Sequence, residues 1–425
     1  MCSSDSTADR DLLPTGVTPV HYDLLLTPDL DALTFTGQVS IKVKVNEGAG
    51  STITLNAKEL AIQSATLSTS DTDAPAAATA ISVDGEKETA ELTFAQPLVG
   101  GTHATVTLSF TGVLNDQMVS IKVKVNEGAG NTITLNAKEL AIHSATLSTS
   151  DTDAPAAATA ISVDDEKETA ELTFAQPLVG GTHATVTLSF TGVLNDQMVG
   201  FYRAKYTDST GAVKNMATTH FEPTSARYAF PCWDEPLLKA TFDVKLRVSD
   251  HLTALSNMDV VSTVSLADDL KEVSFRTTPL MPTYLVAFIV GEFDYVEGFT
   301  SGTHNGRPIP CRVYTSPGKG EQGRFALSVA VSVLEYYADV FGIAYPLPKL
   351  DQIAINEFPV RAMENWGLIT YHEACLLVDE VNTSSHTRQL VAYTIGHEVA
   401  HQWFGNLVTM EWWSDLWLKE GFATW

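Results

Sequence analysis

Apolar and polar residues alternate along much of the first three hundred positions. Val39, Ile41, Val43 and Val45 are spaced by polar residues, and Asn46-Glu47-Gly48 then supplies a turn. The same period of two returns at Ala104, Val106, Leu108 and Phe110, and at Phe242, Val244, Leu246 and Val248. Such a period buries one face of a strand and wets the other, so many short strands with turn-rich connections predict an all-β domain. The unbroken apolar run Tyr284 to Val290 is too short to span a bilayer and predicts a buried strand that closes this domain near Phe293. Beyond it the pattern changes. Residues 308–318 predict a strand and turn, Leu327, Val331, Leu334 and Ala338 a helix from about Arg324 to Phe341, and residues 346–355 another strand. Ala392, Ile395, Val399 and Trp403 recur at helical spacing up to a stop at Gly405-Asn406. The run Trp412 to Leu418 predicts a further helix that carries Glu420 inward among aromatics.

One feature interrupts the strand pattern. Residues 39–118 recur as residues 119–198, differing only at Ser51/Asn131, Gln63/His143 and Gly85/Asp165. Structural repeat arrays diverge further and cycle faster, so this is not a solenoid. It is either a very recent tandem duplication or two alleles joined in assembly, and the second origin is favoured. Identical strands compete for one place in a sheet, so one copy must be looped out or packed as an addition. Neither copy has its own partner for the strand before Gln38. The N-terminal domain is therefore the expected site of misfolding.

A chain of 425 residues can bury a sizeable core in two or more domains. Its 26 basic and 51 acidic residues leave no basic footprint, which argues against nucleic-acid partners. The four cysteines are widely spaced without a CxxC pair, and the polar first ten residues carry no signal-peptide core. Together they predict a soluble cytoplasmic protein with no membrane partner.

The chemistry concentrates near the end. His397-Glu398-Val399-Ala400-His401 sits on the helix ending at Gly405, and Glu420 follows eighteen residues after His401. Residues four apart share a helix face, so both imidazoles can point at one spot. Two neutral imidazoles and a carboxylate form a three-ligand zinc set with a fourth position open, and the adjacent Glu398 is free to act as a base. A buried Glu420 would need a partner, and a metal is a natural one.

The stretch GHEVAHQWFGNLVTMEWWSDLWLKEGFATW, Gly396 to Trp425, resembles the zinc aminopeptidases of the membrane alanyl and puromycin-sensitive type. Residues 13–30 resemble the start of the puromycin-sensitive type, and residues 216–244 a hallmark of the family's β domain. Residues 358–367 resemble its GAMEN exopeptidase loop, with Arg361 in place of the first Gly. The resemblance implies an all-β, saddle or sandwich-like N-terminal domain at residues 1–293. The first part of an α+β thermolysin-like zinc peptidase domain would follow at residues 294–425. It implies one Zn2+ held by His397, His401 and Glu420, with Glu398 as general base. Glu364 would hold the ammonium of a free peptide N-terminus by a charge-assisted hydrogen bond. Ala362, Met363 and Asn365 would line the substrate beside it. His220, where the family usually has Gln, would border the pocket for the first residue. Arg361 is expected to pair with Glu364 and weaken substrate binding, and Lys419, where the family commonly has Asn, is a smaller departure.

The family continues beyond the position of Trp425, including a tyrosine that stabilises the tetrahedral intermediate and a large helical domain. The expectation is a zinc aminopeptidase acting on peptides with a free N-terminus, in an incomplete form whose activity stays open. Two alternatives remain: a non-catalytic peptide-binding fragment with a vestigial zinc site, and an endopeptidase or epoxide-opening relative on the same scaffold. Glu364 argues against a plain endopeptidase, because an amine anchor blocks longer chains.

Overall fold

The computed structural model describes residues 17–46, 51–58, 60–68, 75–84, 87–98, 103–112, 116–124, 131–136, 140–148, 156–164, 169–175, 183–192, 197–208, 210–230, 232–302, 304 and 306–425. They form two compact units, Met1–Gly112 with Asp196–Trp425, and Val113–Asn195.

In the larger unit the strand pattern builds an eight-stranded sheet. Its order is Val260–Ser265, Leu270–Phe275, Thr241–Ser249, Val17–Asp29, Thr34–Val45, His103–Gly112, Leu60–Ser68 and Ala76–Ala77. Val17–Asp29 lies parallel to Thr241–Ser249 and antiparallel to Thr34–Val45. Of the apolar positions read from the sequence, Val39, Ile41, Val43, Val106, Leu108, Phe242 and Leu246 turn to the core and are fully buried. Tyr22 stacks on Phe242 at 4.8 Å, and its hydroxyl accepts a hydrogen bond from the Trp233 N–H at 3.1 Å.

A four-stranded sheet, Gly200–Thr207, Val213–His220, Phe288–Gly291 and Thr253–Ser256, ends one strand at His220. The apolar run before it differs from expectation. Thr283–Leu285 forms a tight 3-10 turn, and the strand begins only at Phe288. An unbroken apolar run reports burial but carries no period, so it cannot separate turn from strand.

The first repeat copy is tied to the segment Met216 to Val244. Asn56 bridges to Cys232, where the Cys232 N–H donates to the Asn56 carbonyl at 2.8 Å. The Asn56 side chain accepts from the Asp234 N–H at 2.9 Å, and Arg227 pairs with Glu88 at 3.3 Å and with Asp234 at 3.0 Å. Those bonds hold this copy to the rest of the larger unit.

The second copy makes the unit Val113–Asn195, a six-stranded sheet with the same pairing. Val119 faces Leu188 as Val39 faces Leu108, and both copies shift register between the equivalent pairs Ile62/Ser64 and Ile142/Ser144. It is thus a self-paired addition, one of the two outcomes expected of identical strands. The partner missing from the sequence is missing here too: among the described residues Asp116–Lys124 is an edge strand, whereas Thr34–Val45 has Val17–Asp29 beside it.

Residues from Asp294 onward are α+β. A mixed five-stranded sheet runs Asp294–Phe299, Pro310–Thr315, Leu350–Ile355, Leu368–His372 and Ala362–Met363, its three middle strands parallel. Helices α1 (Arg324–Phe341), α2 (Ser385–His401) and α3 (Leu416–Thr424) accompany it. Trp403, just past α2, packs edge-on against Phe341 of α1 at 5.5 Å, and its indole N–H donates to the Ile343 carbonyl at 3.0 Å. Among the described residues no helix is long and apolar enough to cross a membrane.

Candidate active site

Helix α2 sets the first half of the site. Ser384 caps it, its hydroxyl accepting from the Thr387 N–H at 3.1 Å, and Val391, Ile395 and Val399 face the core. One turn apart on the same helix, His397 and His401 bring their Nε2 atoms to 3.0 Å. Two imidazole nitrogens in that contact need a shared proton or a shared metal. The Nδ1 of His401 lies 2.8 Å from the Phe404 carbonyl. A proton on Nδ1 donated there leaves the Nε2 lone pair facing inward, the arrangement that metal-bound histidines use. Gly405 allows this close turn: its φ of 130° suits glycine, and a Cβ there would stand 3.2 Å from His401 Nδ1.

Helix α3 brings the third donor. Glu420 Oε2 stands 3.3 Å from His397 Nε2 and 3.7 Å from His401 Nε2. Ligands about 2.0–2.2 Å from a tetrahedral zinc lie about 3.3–3.6 Å from one another, and the three donor separations of 3.0, 3.3 and 3.7 Å straddle that spacing. Glu420 is not sunk among aromatics as its sequence context suggests. Its side chain is 42 % exposed, and Trp417 and Phe422 of the same helix turn outward. A nine-residue helix at the surface has too little cover for its aromatic face, so Glu420 is held by its partners and not by burial.

The electrostatics follow these contacts. Burial opposes ionisation of Glu420, but hydrogen bonds from both histidines and the charge of Lys419 outweigh it and hold the carboxyl far below its usual range. Burial alone would lower His401; Glu364, Glu420 and Glu398 together push it up to about 9. Glu398, one residue after His397, is buried with Oε2 unpartnered. Burial first, and then the charge of Glu364, push its carboxyl well above the carboxylate range.

Glu364 enters from the loop after the edge strand Ala362–Met363, and side chains following the histidines fix it there. Asn406 Nδ2 and Gln402 Nε2 donate to the Glu364 carbonyl at 2.9 and 3.2 Å, while Gln402 Oε1 accepts from the Gly367 N–H at 3.1 Å. Asn365 is buried, with its amide nitrogen on Thr370 Oγ1 at 3.1 Å. Arg361 is exposed, and no ion pair joins it to Glu364 among the described residues. The cation on Glu364 is Lys419, so the expected competitor sits at a different position. Arg361 precedes the edge strand and is exposed, whereas Lys419 comes from α3 and is buried.

His220 lies edge-on to Phe358 at 5.4 Å, beside the loop that carries Glu364. Burial lowers its pKa to about 4, against a weak opposing pull from Glu364. An unfolded histidine titrates near 6.5, so the unfolded chain binds the extra proton between pH 6.5 and 4 and stability falls as the pH drops through that window. Urea unfolding at pH 7 and pH 5 is expected to show about 2 kcal/mol less stability at pH 5 from this residue. His220→Gln removes that part of the pH dependence; an unchanged slope contradicts it.

Sequence reasoning missed Gln402, Asn406, Glu222 and Tyr284. The first two carry a usable signal, since they flank the second histidine and sit on the helix exit that must meet the loop. Glu222 and Tyr284 reach the site only through the tertiary fold.

A β-rich region thus leads to a paired-histidine helix and a third acid on the next helix, a donor set that could hold a metal ion. The family comparison makes it specific. Residues 18–124 and 118–285 each match the Peptidase M1 N-terminal domain, one match per repeat copy, and residues 325–425 match the Peptidase family M1 domain. The chain belongs to the M1 peptidase family. It is 48% identical over 340 residues to the puromycin-sensitive aminopeptidase of Caenorhabditis elegans, covering 78% of this chain and 34% of that protein. It is 49% identical to "Aminopeptidase 2, mitochondrial" of Saccharomyces cerevisiae, covering 72% of this chain and 31% of that protein. With Aminopeptidase M1-D of Oryza sativa subsp. japonica the identity is 51%, over 69% of this chain and 32% of that protein. The chain spans about a third of the length of these curated relatives.

Proposed function

We propose that this chain carries the site of a zinc-dependent aminopeptidase, which removes residues one at a time from the amino end of peptides. The observation that carries the proposal is the convergence of His397 Nε2, His401 Nε2 and Glu420 Oε2 at 3.0–3.7 Å, with His401 locked from behind by Phe404. These three side chains would hold one zinc ion. Zinc bound there supplies Lewis acidity, which lowers the pKa of water toward about 7 and polarises a peptide carbonyl.

The remaining roles belong to the protein's own residues. Glu398 is buried, unpartnered on one oxygen and raised in pKa, and so suited to take a proton from water and return it to the leaving amine. Ala362–Met363 is the edge of the five-stranded sheet, so its outer backbone groups can pair with an extended peptide. Asn365 and Glu364 follow at the end of that edge, which sets where the peptide stops. Glu364 is the acid placed to meet the amino end, and His220 borders the first residue from the neighbouring sheet. We place the boundary between the β domain and the catalytic region near Phe293. The described cysteines, Cys232, Cys311 and Cys375, are free thiols, which supports a reducing, cytoplasmic setting.

Mass spectrometry of a peptide digest tests the reaction. After chelator treatment and return of one equivalent of zinc, products shortened by single residues from the amino end are expected. Internal cleavage, or turnover unaffected by the chelator, overturns the proposal.

A further inference from the structure

The position beside Glu364 where a peptide's ammonium would sit is already filled by a cation. Lys419 is 3 % exposed, and its ε-ammonium contacts Glu364 Oε1 directly. It also stands 2.6 Å from Glu222 Oε1 and 3.2 Å from Glu420 Oε1, and lies 5.3 Å from the centre of the Tyr284 ring. Three carboxylates, brought from the segment after Val213–His220, from the loop after Ala362–Met363 and from α3, thus converge on one nitrogen. Packing holds it in place. The Lys419 stem runs against Gly405, where a Cβ would come within 3.2 Å of Lys419 Cδ, and the Tyr284 hydroxyl bonds to the Gly405 carbonyl at 3.2 Å.

Of the three acids, Glu364 accepts a hydrogen bond from the Lys419 ammonium, while Glu222 and Glu420 stand beside it as ion-pair partners. Glu364 is therefore ion-paired and geometrically engaged before any peptide arrives. The other side chain placed at the amino end, His220, is an imidazole, neutral or cationic in either protonation state, and so offers no negative charge. A free α-amine entering this site meets an acid that already holds an ammonium, and a like charge beside it.

We propose that Lys419 is a specificity-determining residue, an internal occupant of the ammonium position, so that free amines lose their advantage and peptides with an acylated or cyclised amino end are accepted on equal terms. Lys419 can act this way only if Glu364 is the amine anchor of the peptidase site proposed above. The contacts of Lys419 with Glu364 and Glu222 involve neither of the two histidines proposed to hold the metal.

Calorimetric titration of the 425-residue chain with leucinamide and with N-acetyl-leucinamide tests this, with and without one equivalent of zinc. The wild-type chain is expected to bind the two within about threefold of each other. In Lys419→Asn and Lys419→Met, leucinamide alone should gain about 10- to 100-fold, the range of one charge-assisted hydrogen bond. Lys419→Arg should keep the wild-type ratio, which separates occupancy by charge from a packing role. A wild-type chain that already prefers leucinamide by tenfold or more overturns the proposal, and so does an unchanged ratio in folded Asn and Met variants. Zinc content measured on the same samples separates this outcome from failure of the zinc site, because the ratio is read in both zinc states.

Discussion

Glu398→Gln is expected to lower peptide hydrolysis by the zinc-loaded chain by about 10²–10⁴-fold, the usual contribution of a positioned general base. Glutamine keeps the shape and burial of the side chain but cannot take a proton, so the loss should fall on kcat with KM little changed. Glu398 is not among the three converging donors, and its carboxyl sits beside them with one oxygen unpartnered. Zinc content should therefore stay at one per chain in the variant. Steady-state kinetics with metal analysis on one preparation decides this. A variant with more than about a tenth of wild-type turnover, or one that has lost its zinc, would assign Glu398 a different role.

His401→Ala is expected to weaken zinc binding by about 10²–10³-fold. Structural zinc in zinc-finger peptides is worth about 10–16 kcal/mol, roughly 2.5–4 kcal/mol for each of four ligands. The same residue sets a pH dependence. With its pKa pushed up to about 9, His401 must shed a proton to bind metal. Apparent zinc affinity of the wild type should therefore fall about tenfold per unit as the pH drops from 9 toward 6. In the alanine variant the proton that His401 must shed is gone, so the slope should flatten as well as the affinity fall. Competition against a chromophoric chelator at several pH values reads both; equal slopes in the two proteins would contradict the assignment.

Much of this fold is written in local periodicity. The expected helix from Arg324 to Phe341 coincides with α1, because Leu327 and Leu334 keep strict helical spacing and Gly342 follows in the left-handed region with φ 64°. The strands carrying Val39 and Phe242 are equally plain. The run around Tyr284 is not: Pro282 starts a 3-10 turn over Thr283–Leu285, and no charged residue between there and Val290 marks where the turn ends and the strand begins. Within the site, the spacing of His397 and His401 fixes a shared helix face before any tertiary contact forms. Lys419 is the counterexample. Beside a candidate ligand it reads as a minor departure, yet it pairs with Glu222 and Glu364 from two other parts of the chain. Long-range ion pairs leave no period in a sequence, and a lysine there looks the same whether it faces water or fills a pocket. The repeat gave a partial answer for the same reason. Identity of the copies fixed their internal register, while the contacts that hold the first copy to the main unit, Asn56 to Cys232 and Glu88 to Arg227, leave no local pattern.

The central claim is a zinc centre built from two histidines and one acid, and X-ray absorption at the zinc edge tests it most directly. The zinc-loaded wild-type chain should show one zinc with nitrogen and oxygen ligands at about 2.0–2.2 Å and the outer-shell signature of two imidazoles. A sulfur shell at about 2.3 Å, or a spectrum without imidazole, would contradict it.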